Sequence, residues 1–307
     1  MIWWCVGTAI AGSGPWVVGD GGFTLYTGAE SQRFAHLVPI IDGKREVIPV
    51  AEGVSTLGLK AIGTVGFGGR AEVQLAVPWY HVEASRADEA LCVALALGAC
   101  ETTEGIGIVE SRVKGLVLDE FFGAPFSLSL AAELRFGQFT ASDRERVTNL
   151  GEGTFDAGPV LAVGRTGGLG KGYWSGWIEG SYRYRVPMTR NYPQTTGKDT
   201  APGSEFTAST EVIVGPRTAY GFGPTASLLW RPFGRDFGAL DLTDVDRFGA
   251  LKVTNLRVGA VAVLRANRVS TSASVLRTVY ASNNPTDGYV VSLGVQFDGR
   301  LPGVGDG

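Results

Sequence analysis

Histidine and cysteine are scarce in this chain, and their scarcity limits the chemistry that it can perform. The 307 residues include two histidines and three cysteines, without a Cys-x-x-Cys motif. Zinc sites are built from clusters of these residue types, so we expect no metal site and no cofactor. Nucleophilic hydrolysis needs a serine or cysteine beside a general base, and only His36 and His81 are available as that base. We therefore assign no catalytic residue and expect that the protein is not an enzyme.

Long apolar runs and clustered positive charge are also missing. No uncharged apolar run has the roughly 18 residues of a membrane-spanning helix. The net charge is −3 without a basic cluster, so nucleic acid is not an expected partner. Charged residues make up 19% of the chain, while glycine supplies 45 of its 307 residues. A low charge content, abundant glycine and near-neutral mean hydropathy favour a transmembrane β-barrel. In such a barrel, apolar and polar residues alternate along each strand, so the mean hydropathy stays low.

Segment 287–297 shows the alternation of a β-strand most clearly. One face carries Tyr289, Val291, Leu293, Val295 and Phe297. The other face carries Val290, Ser292, Gly294 and Gln296. An aromatic residue at each end of an aliphatic row is typical of the interfacial girdles of a membrane barrel. The segment also resembles the C-terminal signal that the outer-membrane assembly machinery recognises. The alternative is a half-buried strand of a soluble sandwich.

Twelve strands are predicted from residue 22 onward. They lie near 22–30, 54–62, 70–82, 106–118, 126–137, 154–165, 172–186, 206–214, 222–232, 252–265, 268–281 and 288–297. Long, polar connections at 31–53, 83–105, 138–153, 187–205 and 233–251 alternate with short connections at 63–69, 119–125, 166–171, 215–221 and 266–267. Outer-membrane barrels pair long extracellular loops with short periplasmic turns in this way. The sequence therefore predicts an antiparallel up-and-down barrel in the bacterial outer membrane, with both termini periplasmic.

Charged residues of both signs fall on the polar phase of the predicted strands. In a barrel this phase faces the lumen, because a charge near the middle of the lipid-facing side costs about 2–4 kcal/mol. We predict that the lumen is lined by Arg112, Glu133, Arg135, Glu179, Arg183, Glu211 and Arg257. These residues are either neutralising pairs that fill a narrow interior or a polar constriction that orients a solute. Alternation fails near 274–277, where we expect a β-bulge.

The two chain termini and one loop carry three further predictions. Residues 1–11 end in an Ala-x-Ala pattern and are interpreted as a shortened export signal, or otherwise as a short apolar arm. Residues 12–297 form the barrel, and residues 298–307 are expected to be a flexible tail. Cys92 and Cys100 lie in one unusually apolar loop and would form a disulfide in an oxidising compartment. The alternative is two free thiols in a cytosolic protein.

Two motifs resemble those of a known family. Residues 104–116 read Glu-Gly-Ile-Gly-Ile-Val-Glu-Ser-Arg-Val-Lys-Gly-Leu, and residues 149–156 read Asn-Leu-Gly-Glu-Gly-Thr-Phe-Asp. Both are similar to segments of outer-membrane transporters of the phenol-degradation meta-pathway type. The resemblance implies a barrel of about twelve strands that passes small hydrophobic or aromatic compounds.

Together these observations predict an outer-membrane channel or passive uptake porin for small, hydrophobic or aromatic solutes. Its expected partners are outer-membrane lipid, the small-molecule solute and, during biogenesis, the assembly machinery. A different class is a structural or adhesive barrel whose lumen is closed by charge pairs. A third alternative is a lipid-active enzyme of the outer membrane, which would need His81 at the barrel rim beside a serine.

Overall fold

The computed structural model describes residues 13–84, 102–137, 154–187, 203–216, 219–234, 236, 251–286 and 288–301. In these ranges twelve long antiparallel strands form one closed barrel, which confirms the predicted fold class. In chain order they are β1 (Gly22–Val38), β2 (Ile48–Phe67), β3 (Ala71–Ala84), β4 (Val109–Leu118), β5 (Ser127–Phe136), β6 (Thr154–Leu169), β7 (Gly172–Pro187), β8 (Glu205–Pro216), β9 (Tyr220–Arg231), β10 (Val253–Ala266), β11 (Val269–Ser282) and β12 (Tyr289–Arg300). Each strand pairs with the next one in the chain, and the pairing of β1 with β12 closes the cylinder.

Shorter elements accompany these strands in the part of the chain that the structure describes. Ile40–Ile41 and Lys44–Arg45 form a small hairpin between β1 and β2. Thr103–Ile106 pairs with β3, and Asn284–Thr286 pairs with the end of β1. Glu120–Phe122 is a single 3-10 turn between β4 and β5. None of the helical residues described is part of a helix long and apolar enough to cross a bilayer.

The two ends of the barrel differ in the length of their connections. At one end, called the turn end, short connections join β2 to β3, β4 to β5, β6 to β7, β8 to β9 and β10 to β11. The opposite end, called the loop end, has the longer connections, except for the short connection 283–288 between β11 and β12. The predicted extent of the first loop, 31–53, is wrong, because β1 continues to residue 38 and β2 begins at residue 48. Both strands carry polar residues here, so their composition resembles that of a loop even though their backbones pair.

The outer face of the barrel is apolar and its interior is polar. The outward residues of β12 are exposed apolar side chains, as are many on the other strands, among them Leu25, Leu75, Leu130, Leu161 and Leu264. Among the described residues, buried polar and charged side chains outnumber buried apolar ones. A soluble sandwich would place its apolar rows between two layers. The single closed sheet with its apolar rows outside excludes that alternative.

The predicted bulge in β11 is present, a few residues later than expected. Leu256 of β10 pairs with Tyr280, whereas the next residue, Arg257, pairs with Thr278. Val279 is therefore the extra residue, and the alternation of inward and outward side chains shifts there. Before the bulge, Ser274 and Thr278 point inward and are buried.

The barrel extends beyond the predicted C-terminal boundary. Residues 298–300 pair with residues 22–24 of β1, and the amide of Leu301 donates to the carbonyl of Gly21 at 2.8 Å. The tail predicted at 298–307 is therefore wrong in its first three residues, because β1 begins early enough to offer them backbone partners. Residues 302–307 lie outside the described ranges, as do the predicted signal (1–11) and the cysteine pair, Cys92 and Cys100.

Tyr26 marks the seam where the first and last strands meet. Its side chain is buried inside the barrel, on the polar phase of β1. The phenol lies over Gly28 of β1 and Gly294 of β12, which are paired with each other across the seam. A Cβ atom on either glycine would collide with the ring. Two glycines at this level thus create the space that the tyrosine occupies.

Candidate functional site in the barrel lumen

A chain of ion pairs joins inward side chains of β4, β5 and β7, nearer the loop end than the turn end. Arg112 of β4 donates to Glu133 of β5 at 2.7 Å and to Glu179 of β7 at 2.9 Å. Arg183 of β7 donates to the other oxygen of Glu133, also at 2.7 Å. Each of these carboxylates and guanidiniums is largely buried. Four of the seven predicted lumen residues are therefore joined directly to one another.

The chain continues onto strands β8 and β9 through Glu205. One carboxylate oxygen of Glu205 accepts from Arg183 at 2.7 Å, and the other accepts from Arg231 at 2.6 Å. We call the connected residues Arg112, Glu133, Glu179, Arg183, Glu205 and Arg231 the central network. Glu205 was not predicted, because the strand was expected to begin one residue later, at Phe206. Counting back by twos from Glu211 would have placed it on the polar phase.

Arg135 joins a second set of charges to this network. Its Nε donates to Glu110 at 3.0 Å, and Glu110 also pairs with Lys60 at 3.0 Å. One terminal nitrogen of Arg135 lies 3.5 Å from Asp156 and 3.9 Å from the carboxylate of Glu205. Five of the seven predicted residues thus belong to one connected electrostatic system.

Strand register explains why these charges meet. Arg112 is directly opposite Glu133 in the β4–β5 ladder, and Arg183 is opposite Glu205 in the β7–β8 ladder. Arg135 is likewise opposite Asp156. Directly opposed side chains on one face of an antiparallel pair have their Cβ atoms about 4.5–5.5 Å apart, so opposite charges attract across the strands.

The other two predicted lumen residues, Arg257 and Glu211, are also buried. Arg257 is on β10, where it interacts electrostatically with Glu30 of β1. Glu211 is on β8, nearer the turn end, where it is hydrogen-bonded to Trp177. The polar phase predicted their inward direction, but not the level of the lumen at which each one lies.

The chain before β1 folds into the turn end of the barrel. Lys114, which is only 1% exposed, donates to the carbonyls of Gly14 and Trp16 at 3.2 and 2.7 Å. Lys114 also pairs with Glu72 at 2.8 Å, and Glu72 accepts the amide of Val18 at 2.8 Å. We call residues 13–21 the N-terminal strap. Because inward side chains of β3 and β4 hold it, the strap narrows the turn end of the lumen.

A second contact fixes the strap near the 3-10 turn. The indole of Trp16 donates to Glu120 at 3.1 Å, and Glu120 also accepts the amide and hydroxyl of Thr166. Gly14 packs against the indole of Trp177, and Pro15 packs against Gly164. These residues were not predicted to form part of the site, because a short segment without strand periodicity does not indicate where it packs in the fold.

The histidine considered for catalysis lies on the outer face of β3. The Nδ1 atom of His81 is 3.3 Å from the carboxylate of Glu104, and its ring stacks on Trp79 with centroids 6.4 Å apart. Within the described ranges, no group of three or more His, Cys, Asp and Glu side chains is arranged to hold a metal ion. The absence of enzymatic activity stays a prediction.

The barrel is similar to solved outer-membrane structures. A COG4313 outer membrane channel from Pseudomonas putida F1 superposes with a TM-score of 0.66 and 13% identity, covering 95% of this chain and 100% of that one. The β domain of the Bordetella autotransporter Brka gives 0.44 and 12%, covering 90% and 98% of the two chains. LpxR from Salmonella typhimurium gives 0.42 and 9%, covering 89% and 99%. No protein-family model and no curated protein matches the sequence.

Proposed function

We propose that the protein is a channel of the bacterial outer membrane that passes small solutes by diffusion. The observation that carries the proposal is a closed barrel with an apolar outer face and a lumen lined by charged and polar side chains. Hydrocarbon suits the outer face, whereas the interior needs water or polar partners. The shared fold with an outer membrane channel supports the same function. An even strand number puts both termini at the same end of the barrel, the turn end, and the proposal is that this end faces the periplasm.

Small hydrophobic or aromatic solutes are the substrates that the proposal favours. The motifs at 104–116 and 149–156 resemble those of transporters of the phenol-degradation meta-pathway type. In addition, a cavity of about 560 Å³ opens at the turn end, and its lining includes Tyr26, Trp16 and Trp177. Clefts of this size that combine aromatic and polar side chains are typical of small-molecule sites.

One observation favours a second function, that of a structural or adhesive barrel without transport. Every carboxylate of the central network, Glu133, Glu179 and Glu205, has a guanidinium partner. Such pairing neutralises this part of the interior, and the strap narrows the turn end of the lumen. A barrel of twelve strands is intermediate between packed small barrels and open porins.

Liposome swelling separates these two functions. We expect proteoliposomes to swell faster than protein-free liposomes in an iso-osmotic solution of a small neutral solute. Swelling should be faster still with an aromatic alcohol of similar size if the aromatic lining favours such solutes. Swelling at the protein-free rate with every solute would support the non-transport barrel. A lipid hydrolysis assay on the same vesicles addresses the enzymatic alternative.

Replacement of Arg135 tests whether the lumen charges select ions. Arg135→Ala removes a guanidinium that lies beside Glu110, Asp156 and Glu205, so the net charge of this part of the lumen becomes more negative. We expect a shift of the reversal potential towards cation selectivity in planar bilayers under a salt gradient. Arg70→Ala, which changes an exposed arginine at the turn end, is the matched control and should leave the potential unchanged. Unaltered conductance and ion preference in Arg135→Ala would contradict a role in selectivity.

A further inference from the structure

The cavity at the turn end is lined by aromatic, polar and charged residues, as small-molecule binding sites are. It lies between the strap and the inner wall formed by β1, β7, β8 and β10–β12, and its volume is about 560 Å³. We call it the vestibule. Its lining includes the charged residues Glu72, Glu211, Arg265 and Asp298. Small-molecule sites in proteins have volumes of roughly 300–1,000 Å³, so the vestibule fits a compact organic molecule.

Glu211 is a carboxylate of the vestibule whose hydrogen bonding is incomplete. Its side chain is only 6% exposed, and one carboxylate oxygen accepts from the indole of Trp177. The second oxygen, Oε2, has no hydrogen-bond partner among the described residues. A buried carboxylate oxygen without a donor is costly, and a ligand that supplies the donor removes that cost.

The other acidic groups of the vestibule already have partners. Glu72 pairs with Lys114 and accepts the amide of Val18. Asp298 accepts from the side-chain amide of Gln296 at 2.7 Å. Glu211 is therefore the carboxylate that is best placed to receive a new donor.

The charge balance of the lining favours a cation over an anion. Three carboxylates and one guanidinium, that of Arg265, face the vestibule. Arg265 lies over the ring of Tyr173, 5.9 Å from its centroid, and is exposed at the rim. Because Lys114 compensates Glu72, the balance is between two carboxylates, Glu211 and Asp298, and the single guanidinium of Arg265, and this net negative charge attracts a cation.

Aromatic rings complete the arrangement. Trp16, Trp177 and Tyr26 all line the vestibule, and Trp177 also orients Glu211. Indole and phenol faces attract cations within about 6 Å through the ring quadrupole, and they pack against apolar bodies. A carboxylate beside several aromatic rings is the combination that recognises organic ammonium groups.

We propose that the vestibule binds a small aromatic or apolar ammonium compound, with the ammonium group donating to Oε2 of Glu211 and the apolar body packing against Trp16 and Trp177. The inference rests on the proposed function, because the ligand is a solute that reaches the vestibule through the lumen of the channel. It specifies the solute as cationic, which neither the fold nor the motifs do.

Calorimetric titration of the full-length protein in detergent with benzylammonium tests the proposal. Benzyl alcohol and benzoate serve as the neutral and anionic ligands of the same size. We expect benzylammonium to bind at least about tenfold more tightly than either, since a hydrogen bond between charged partners is worth a factor of that order. If the wild-type protein bound benzyl alcohol as tightly as benzylammonium, or bound benzoate more tightly, the proposal would be overturned.

Glu211→Gln provides the second arm of the test. The substitution is nearly isosteric and keeps an oxygen for Trp177, and it should weaken benzylammonium binding at least about tenfold while leaving benzyl alcohol unchanged. Glu30→Gln is the matched control, because Glu30 is another buried carboxylate of the lumen that does not line the vestibule. Equal affinities of the two variants for benzylammonium would also overturn the assignment. Binding of benzylammonium without liposome swelling would contradict the proposed channel and support the binding site. Swelling without binding would support the channel and contradict the binding site.

Discussion

Releasing the N-terminal strap is expected to raise the single-channel conductance of the barrel several-fold. The strap occupies the turn end because Lys114 binds the carbonyls of Gly14 and Trp16 while Glu72 binds the amide of Val18. The triple variant Trp16→Phe/Glu72→Met/Lys114→Met removes these anchors together with the hydrogen bond from Trp16 to Glu120. It also avoids leaving a lone buried charge, which would destabilise the barrel by itself. Planar-bilayer recordings of the variant and the wild type give the comparison directly.

A matched pair elsewhere in the lumen controls for the loss of charge. Lys60→Met/Glu110→Gln removes an ion pair of 3.0 Å that does not contact the strap. Its conductance should stay close to that of the wild type, since the turn end keeps its obstruction. If the strap variant and this control variant both had the wild-type conductance, the strap would not limit flow.

The second large effect is expected on stability, when the carboxylate shared by two arginines is removed. Glu205→Ala deprives Arg183 and Arg231 of ion pairs of 2.7 and 2.6 Å, and Arg231 is only 1% exposed. Removing one partner of a buried pair typically costs about 3–5 kcal/mol, because the remaining charge loses its compensation in a poorly hydrated environment. We expect a loss of this size in the free energy of unfolding, measured in detergent by urea titration of tryptophan fluorescence.

Glu104→Ala is the control for that measurement. Glu104 also forms an ion pair, with His81 at 3.3 Å, but its side chain is 66% exposed. Exposed pairs contribute at most about 1 kcal/mol, so the variant should unfold at nearly the wild-type urea concentration. Equal, small losses in both variants would show that the lumen around Glu205 is hydrated well enough to replace the carboxylate.

The number of strands and the direction of their side chains could be predicted from the sequence because both depend on local periodicity. The row from Tyr289 to Phe297 lies outside as predicted, and Arg112 and Glu133 lie inside. Alternation by twos fixes the face of a strand without knowledge of its neighbours. Tyr26 follows the same rule, since it shares the phase of Thr24 and is buried with it.

The grouping of the site residues could not be predicted, because it depends on how the strands are staggered. Glu211 and Arg183 share the polar phase of neighbouring strands, yet the β7–β8 register places Arg183 opposite Glu205 and leaves Glu211 nearer the turn end. The periodicity of a single strand does not determine its register against the neighbouring strand. The strap was missed for a related reason, since its position depends on Lys114 and Glu72, which are distant in the chain.

The tyrosine at the seam has a consequence for biogenesis. Its phenol covers the two glycines that face each other where the first strand meets the last. Sliding β12 by two residues along β1 would bring Ser292 or Gln296 beneath the ring, where any Cβ atom collides with it. A two-residue slip between β1 and β12 is therefore sterically disfavoured at the seam itself, which selects the observed register when the barrel closes.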